Sequence, residues 1–209
     1  FITDLTIVQT IAGERRGYFV ELNPNSRESG IFTATFSEDG LSYSNKTPLG
    51  ITAQKDEIAW GVPDAVVMPN GLVRVYWVYT EDRTSPEKIV SATSKTEKGT
   101  EFTLDPGYRV DNGYVDFEVL KAEDGDWKAL MSYTPHYLPS TPQSLFYATS
   151  KDGLTWEFIE ERITPKDYSY LDPTGIPIDD KSYLVVMGGA PNAMGDRIYQ
   201  LFTAELILP

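Results

Sequence analysis

The feature that most constrains this chain is that it repeats itself, with a period of about 56 residues. Ser37-Glu38-Asp39-Gly40-Leu41-Ser42-Tyr43 returns two periods on as Ser150-Lys151-Asp152-Gly153-Leu154-Thr155-Trp156, and roughly halfway between them Ser91-Ala92-Thr93-Ser94 matches Tyr147-Ala148-Thr149-Ser150. A second pattern keeps the same step: an acidic position opening a short apolar run, a turn, and a run rich in aromatic and β-branched residues. It begins at Asp4, at Val62-Pro63-Asp64, at Asp116 and at Asp172, with spacings of 58, 54 and 56. A period in this range marks radial or stacked repeat architectures.

Turns such as Asn70-Gly71 and Asp124-Gly125 between the apolar runs are hairpin signals of the type I′ kind, which need positive φ at both central residues. No helical period of 3.6 extends over a useful length, and 14 prolines are scattered through the connecting segments. Each repeat therefore reads as an antiparallel meander of up to four strands. The whole chain reads as an all-β propeller of four-stranded blades, because packing blade on blade limits the exposure of strand edges. The repeats run over residues 4–59, 60–113, 114–169 and 170–209 of a single propeller domain. The last is shorter than the others and lacks the outer hairpin. The expectation is a truncated five-bladed member, with a ring of four as the alternative, and an open strand edge at repeat four that invites association.

Composition narrows the function classes. A net charge of −13 disfavours nucleic acid and anionic membrane surfaces. The absence of cysteine removes thiol catalysis and thiolate metal sites, and the single histidine removes multi-histidine centres. Apolar runs such as Tyr183 to Met187 are far below the roughly 20 residues of a spanning helix. No leader segment is visible, and the compartment stays open, with an extracellular or periplasmic setting favoured.

The Ser-x-Asp-Gly-Leu-Ser/Thr-Tyr/Trp segments resemble the Asp-box hairpins of sialidase-type propellers. The alternation of strand-opening acids, x-Asp-Gly turns and tyrosine-rich strands resembles the five-bladed superfamily of glycoside hydrolase families 43, 32, 62 and 68. That resemblance implies a glycoside hydrolase acting on a polysaccharide or oligosaccharide, with an Asp base, an Asp modulator and a Glu acid on the innermost strands. By position these are Asp4, Asp64 and Glu118. Blade two departs from the pattern, with Val62 where an acid would stand and Asp64 two residues later.

The chemistry fits those residue types. Inverting hydrolysis needs one protonated carboxyl for the leaving oxygen and one carboxylate to activate water, roughly 6.5 to 9.5 Å apart. Asp116 and Asp172 would complete an acidic channel mouth, with mutual repulsion driving pKa values apart. No resident cofactor or metal is expected; a Ca²⁺ ion held by the channel acids is the weaker alternative. Among 26 aromatic residues, Trp60, Tyr114 and Tyr170, placed on loops leading into innermost strands, are the candidate sugar platforms, with His136 on a loop of repeat three. The competing reading is a non-catalytic propeller binding carbohydrate or protein through the same face.

Overall fold

The computed structural model describes residues 2–22, 29–51, 58–80, 85–111, 113–133, 143–159, 161–165, 168–190 and 199–208. Among them are strands and turns but no helix, and hence none long and apolar enough to cross a membrane. The chain divides into two compact units, Phe1–Val110 and Asp111–Pro209. Unit 1 carries blade one, β1 (Ile2–Gln9), β2 (Arg15–Leu22), β3 (Ser29–Phe36) and β4 (Tyr43–Pro48), and blade two, β5 (Ile58–Val67), β6 (Val73–Thr80), β7 (Lys88–Ser94) and β8 (Phe102–Leu104). Unit 2 carries blade three, β9 (Tyr114–Glu123), β10 (Asp126–Tyr133), β11 (Ser144–Ser150) and β12 (Trp156–Phe158), and blade four, β13 (Ser169–Pro177), β14 (Ser182–Ala190) and β15 (Gln200–Ile207). Every sheet is an antiparallel meander in chain order, three of four strands and the last of three. The fold class is the all-β propeller with four blades; a fifth is not among the described residues.

The second strands are largely buried and supply much of the core of each unit. β6 reads Val-Arg-Val-Tyr-Trp-Val-Tyr-Thr and is buried over almost its whole length, as a strand covered on both faces should be. In unit 1, Tyr18, Ile31 and Leu49 of blade one pack against Val73, Val75, Trp77 and Val90 of blade two. In unit 2, Leu130, Leu145 and Tyr147 pack against Tyr170, Tyr183, Val185 and Met187. Each large side chain so buried contributes roughly 1.5 to 3 kcal/mol.

Two sequence expectations are corrected. The hairpin turns are not type I′. The glycines Gly13, Gly71 and Gly125 have positive φ, whereas Ala12, Asn70 and Asp124 do not. A right-handed turn followed by a single left-handed glycine closes the loop, which makes the glycine rather than the residue before it the conformational requirement. The Ser-x-Asp-Gly segments also carry a left-handed glycine, at Gly40 and Gly153, and add side-chain closure: Asp39 Oδ1 accepts from Ser37 Oγ at 2.6 Å and from the Leu41 N–H at 3.0 Å, and Asp152 Oδ1 accepts from the Leu154 and Thr155 N–H groups at 2.8 and 2.9 Å.

The second correction bears on the site. The repeated acids do not open their strands. Asp4, Asp116 and Asp172 lie inside β1, β9 and β13, and Val62 inside β5, because pairing with the second strand continues upstream, as in Ile2↔Glu21, Ile58↔Thr80 and Ser169↔Ala190. All four stand in the left-handed region, with φ of 52, 51, 46 and 49 respectively, where the pairing register of the innermost strand shifts. Asp tolerates this conformation; valine, β-branched, does so only under strain. Val62→Asn is therefore expected to raise stability by about 1 kcal/mol, read as a higher urea midpoint with an unchanged slope. A lower midpoint would show that the Val62 side chain is worth more than the strain it carries.

Blade edges differ. β4 carries Lys46 and Pro48 and an irregular register, while β8 and β12 are three residues long, all devices that blunt an edge. β15 pairs with β14 over eight uninterrupted residues, and Leu201 and Ile207 on it are 82% and 71% exposed.

Candidate functional site

The repeated bulge brings side-chain oxygens of one blade to the backbone of the next within each unit. In unit 1, Asp4 Oδ2 accepts the Val62 N–H at 3.4 Å. The approach is close: a Cβ on Gly61, whose φ is 118°, would lie 3.0 Å from Asp4 Oδ2 and 2.6 Å from Val20. Asp64, two residues beyond Val62, is buried at 8% exposure and stands opposite the fully buried Tyr76. Burial pushes the Tyr76 hydroxyl pKa up, against the lowering influence of Arg74.

In unit 2 the same step recurs with more chemistry. Asp116, 8% exposed, receives on Oδ2 the Asp172 N–H at 3.3 Å, the Ser132 hydroxyl at 2.5 Å and the Gln143 amide at 3.1 Å. Two residues on, Glu118 Oε1 accepts the Gly175 N–H at 2.9 Å. Desolvation raises the Glu118 pKa to about 7, and the Gly175 hydrogen bond opposes that rise. A carboxyl poised near neutrality can hold a proton and release it, the property a general acid needs. Asp172 itself is exposed.

Of the proposed trio, Asp4 and Asp64 belong to unit 1 and Glu118 to unit 2. The structure joins Asp116, Asp172 and Glu118 through the backbone of β13 and joins Asp4 to the backbone at Val62. The aromatic candidates lie in strands rather than on loops. Tyr114, first residue of β9, is stacked on Tyr133 at 4.4 Å and on Phe158 at 4.6 Å, with Phe146 edge-on. Tyr170 is 8% exposed and packs edge-on against Phe202. Trp60 lies in β5 with its side chain outside the described part, and His136 lies outside the described residues. Among the described residues no three carboxyl or imidazole groups gather as a cation site.

Sequence reasoning passed over Ser132 and Gln143. A signal for Ser132 existed: the repeat places Val20, Val78 and Gly188 where β10 has Ser132, so a hydroxyl interrupts an otherwise apolar column. A second repeated contact was also missed. Arg16 donates to Thr35 and, one repeat on, Arg74 donates to Thr93; Arg74 is further paired with Asp105 at 3.3 Å, which accepts from Ser91 at 2.6 Å. This buried network ties β6 to β7 and the segment after β8.

No family model and no curated protein sequence matches the chain. Solved structures do. An α-L-arabinanase from Penicillium chrysogenum, complexed with arabinobiose, matches 98% of this chain over 62% of its own length, at 13% identity and a TM-score of 0.68. An endo-arabinase from Bacteroides thetaiotaomicron matches 97% over 74% of its length, at 13% identity and 0.69. A fructan 1-exohydrolase IIa from Cichorium intybus, in complex with 1-kestose, matches 98% over 41% of its length, at 13% identity and 0.70. The chain thus spans between two fifths and three quarters of these proteins, and what it shares with them is the fold of glycoside-hydrolase β-propellers.

Proposed function

We propose that this chain is part of a glycoside hydrolase acting on a polysaccharide or oligosaccharide, with Glu118 as the general acid. The observation that carries the reading is Glu118 itself: a largely desolvated carboxyl, pKa near 7, held by a backbone N–H, on the innermost strand of a blade in a fold shared with arabinan- and fructan-cleaving enzymes. Asp4 and Asp64 take the base and modulator roles by repeat position, and the parent architecture is five-bladed with Asp-box-like outer hairpins. Asp172, exposed beside the bulge, and the aromatic residues Trp60, Tyr114 and Tyr170, with His136, are the sugar-contacting candidates. The reading needs no metal.

Hydrolysis of aryl-arabinoside, xyloside and fructoside panels tests it. Turnover by the wild-type protein that falls at least about a hundredfold in Glu118→Gln supports the assignment; turnover unchanged by that substitution removes Glu118 from the role. A second reading, a propeller that binds carbohydrate without cleaving it, is favoured by Val62, which offers no carboxyl at the repeated bulge, and by Asp116, whose Oδ2 is engaged with protein donors. Glycan-array binding without turnover in the same panels distinguishes it.

We also infer that β15 seats a further antiparallel strand. Its long regular edge and exposed Leu201 and Ile207 support this. Leu201→Lys with Ile207→Lys is expected to abolish any concentration-dependent mass increase in sedimentation; an increase that persists contradicts it.

A further inference from the structure

The Asp116 network does more than satisfy one carboxyl. Gln143 is fastened to the start of β13 by its main chain, its N–H donating to Ser169 Oγ at 3.1 Å and its carbonyl accepting the Tyr170 N–H at 2.9 Å. Its side-chain amide reaches Asp116 Oδ2 at 3.1 Å and Ser132 Oγ at 2.6 Å. Asp116 in turn takes the Asp172 N–H, and three residues further along β13 Glu118 takes the Gly175 N–H. β13 is therefore gripped at residues 169, 170, 172 and 175, on both sides of the register shift between Leu171 and Thr174.

We propose that Ser132 and Gln143 are positioning residues for Glu118: by anchoring Asp116 against the bulge of β13, they fix the strand whose Gly175 N–H holds the Glu118 carboxyl. A bulge is a place where one residue more or less on a strand changes which N–H points where, so its register must be pinned by something other than the ladder. Gly175 packs closely on β9: a Cβ there would come within 2.1 Å of a terminal methyl of Leu120, which would have to move. Among the described residues this grip joins blades three and four. At the corresponding step between blades one and two, Asp4 meets the Val62 N–H at 3.4 Å, with Val20 at the position of Ser132 and Thr6 at that of Glu118. The polar clamp is thus built where the poised glutamate stands. The inference rests on the reading of Glu118 as the functional acid, but its test does not depend on turnover.

Around Glu118, β9 and β13 bring the titratable groups Asp116 and Asp172, while β10 places the apolar Leu130 opposite it. Because burial is the larger influence on Glu118, water admitted by a loosened β13 outweighs the lost hydrogen bond and lowers its titration midpoint. Carboxyl-carbon NMR of Glu118 and the amide-proton shift of Gly175 read this directly. Ser132→Ala and Gln143→Leu are expected to lower the Glu118 midpoint by at least about one pH unit and to move the Gly175 amide upfield, with Ser132→Thr, which keeps the hydroxyl, close to wild type. Should either variant fail to fold, Gln143→Asn, which keeps the amide on a shorter stem, provides the reading. Folded variants with an unchanged or raised Glu118 midpoint and an unmoved Gly175 amide overturn the proposal. A wild-type protein inactive on every glycoside would instead remove the catalytic reading and leave this clamp to be judged by the titration.

Discussion

Glu118→Gln is expected to raise folding stability by about 3 kcal/mol at pH 8 and to leave it nearly unchanged at pH 4. Folding lifts this carboxyl from 4.5 to about 7, so the fold favours its protonated form. The stabilising contribution of that form is fully present below the unfolded value and is lost as pH rises through about 7. Above that pH, the wild type keeps a charge in a desolvated place; glutamine carries none, and its Oε1 still accepts the Gly175 N–H. Urea unfolding of both proteins at pH 4 and pH 8, followed by tryptophan fluorescence, supplies the comparison. An equal effect at the two pH values, or a loss at pH 8, contradicts the burial of an ionisable Glu118. A gain at pH 8 accompanied by lost turnover would place Glu118 among residues whose stability is sacrificed to function.

The second large effect concerns Asp116. Asp116→Ala removes the acceptor shared by the Ser132 hydroxyl, the Gln143 amide and the Asp172 N–H, and it does so where Ser132 is fully buried. Orphaned buried donors cost roughly 1 to 3 kcal/mol each when no water reaches them, so a loss of about 3 kcal/mol is expected. Asp116→Asn, which retains one oxygen, is expected to lose less. Denaturant midpoints of the two variants check the order; a loss below about 1 kcal/mol for alanine means that the network contributes little to holding β13.

The blades were legible because their signals are local and recur. A left-handed glycine closes the first tight turn of blades one, two and three, at Gly13, Gly71 and Gly125, and second strands carrying apolar and aromatic residues recur at the repeat period. The left-handed aspartates were not. An acid ahead of an apolar run reads as a residue closing a loop, and only the pairing of residues upstream of it shows that the strand has already begun. The same step explains blade two, where the residue at the bulge is Val62 and Asp64 is the counterpart of Thr6, Glu118 and Thr174. Asp64 and Glu118, chosen for different roles, thus occupy equivalent positions. Gln143 lay beyond sequence reasoning for a plainer reason: its partners stand 27 residues upstream at Asp116 and 26 downstream at Ser169, distances that no local pattern encodes.

The role proposed for Glu118 turns on its being a desolvated acid rather than an ordinary surface glutamate. The most direct test is the carboxyl-carbon NMR titration of Glu118 in the wild-type protein. The expected midpoint lies near 7, moved there by burial on β9 against the backbone of β13. A midpoint at the ordinary glutamate value of about 4.3 would contradict it.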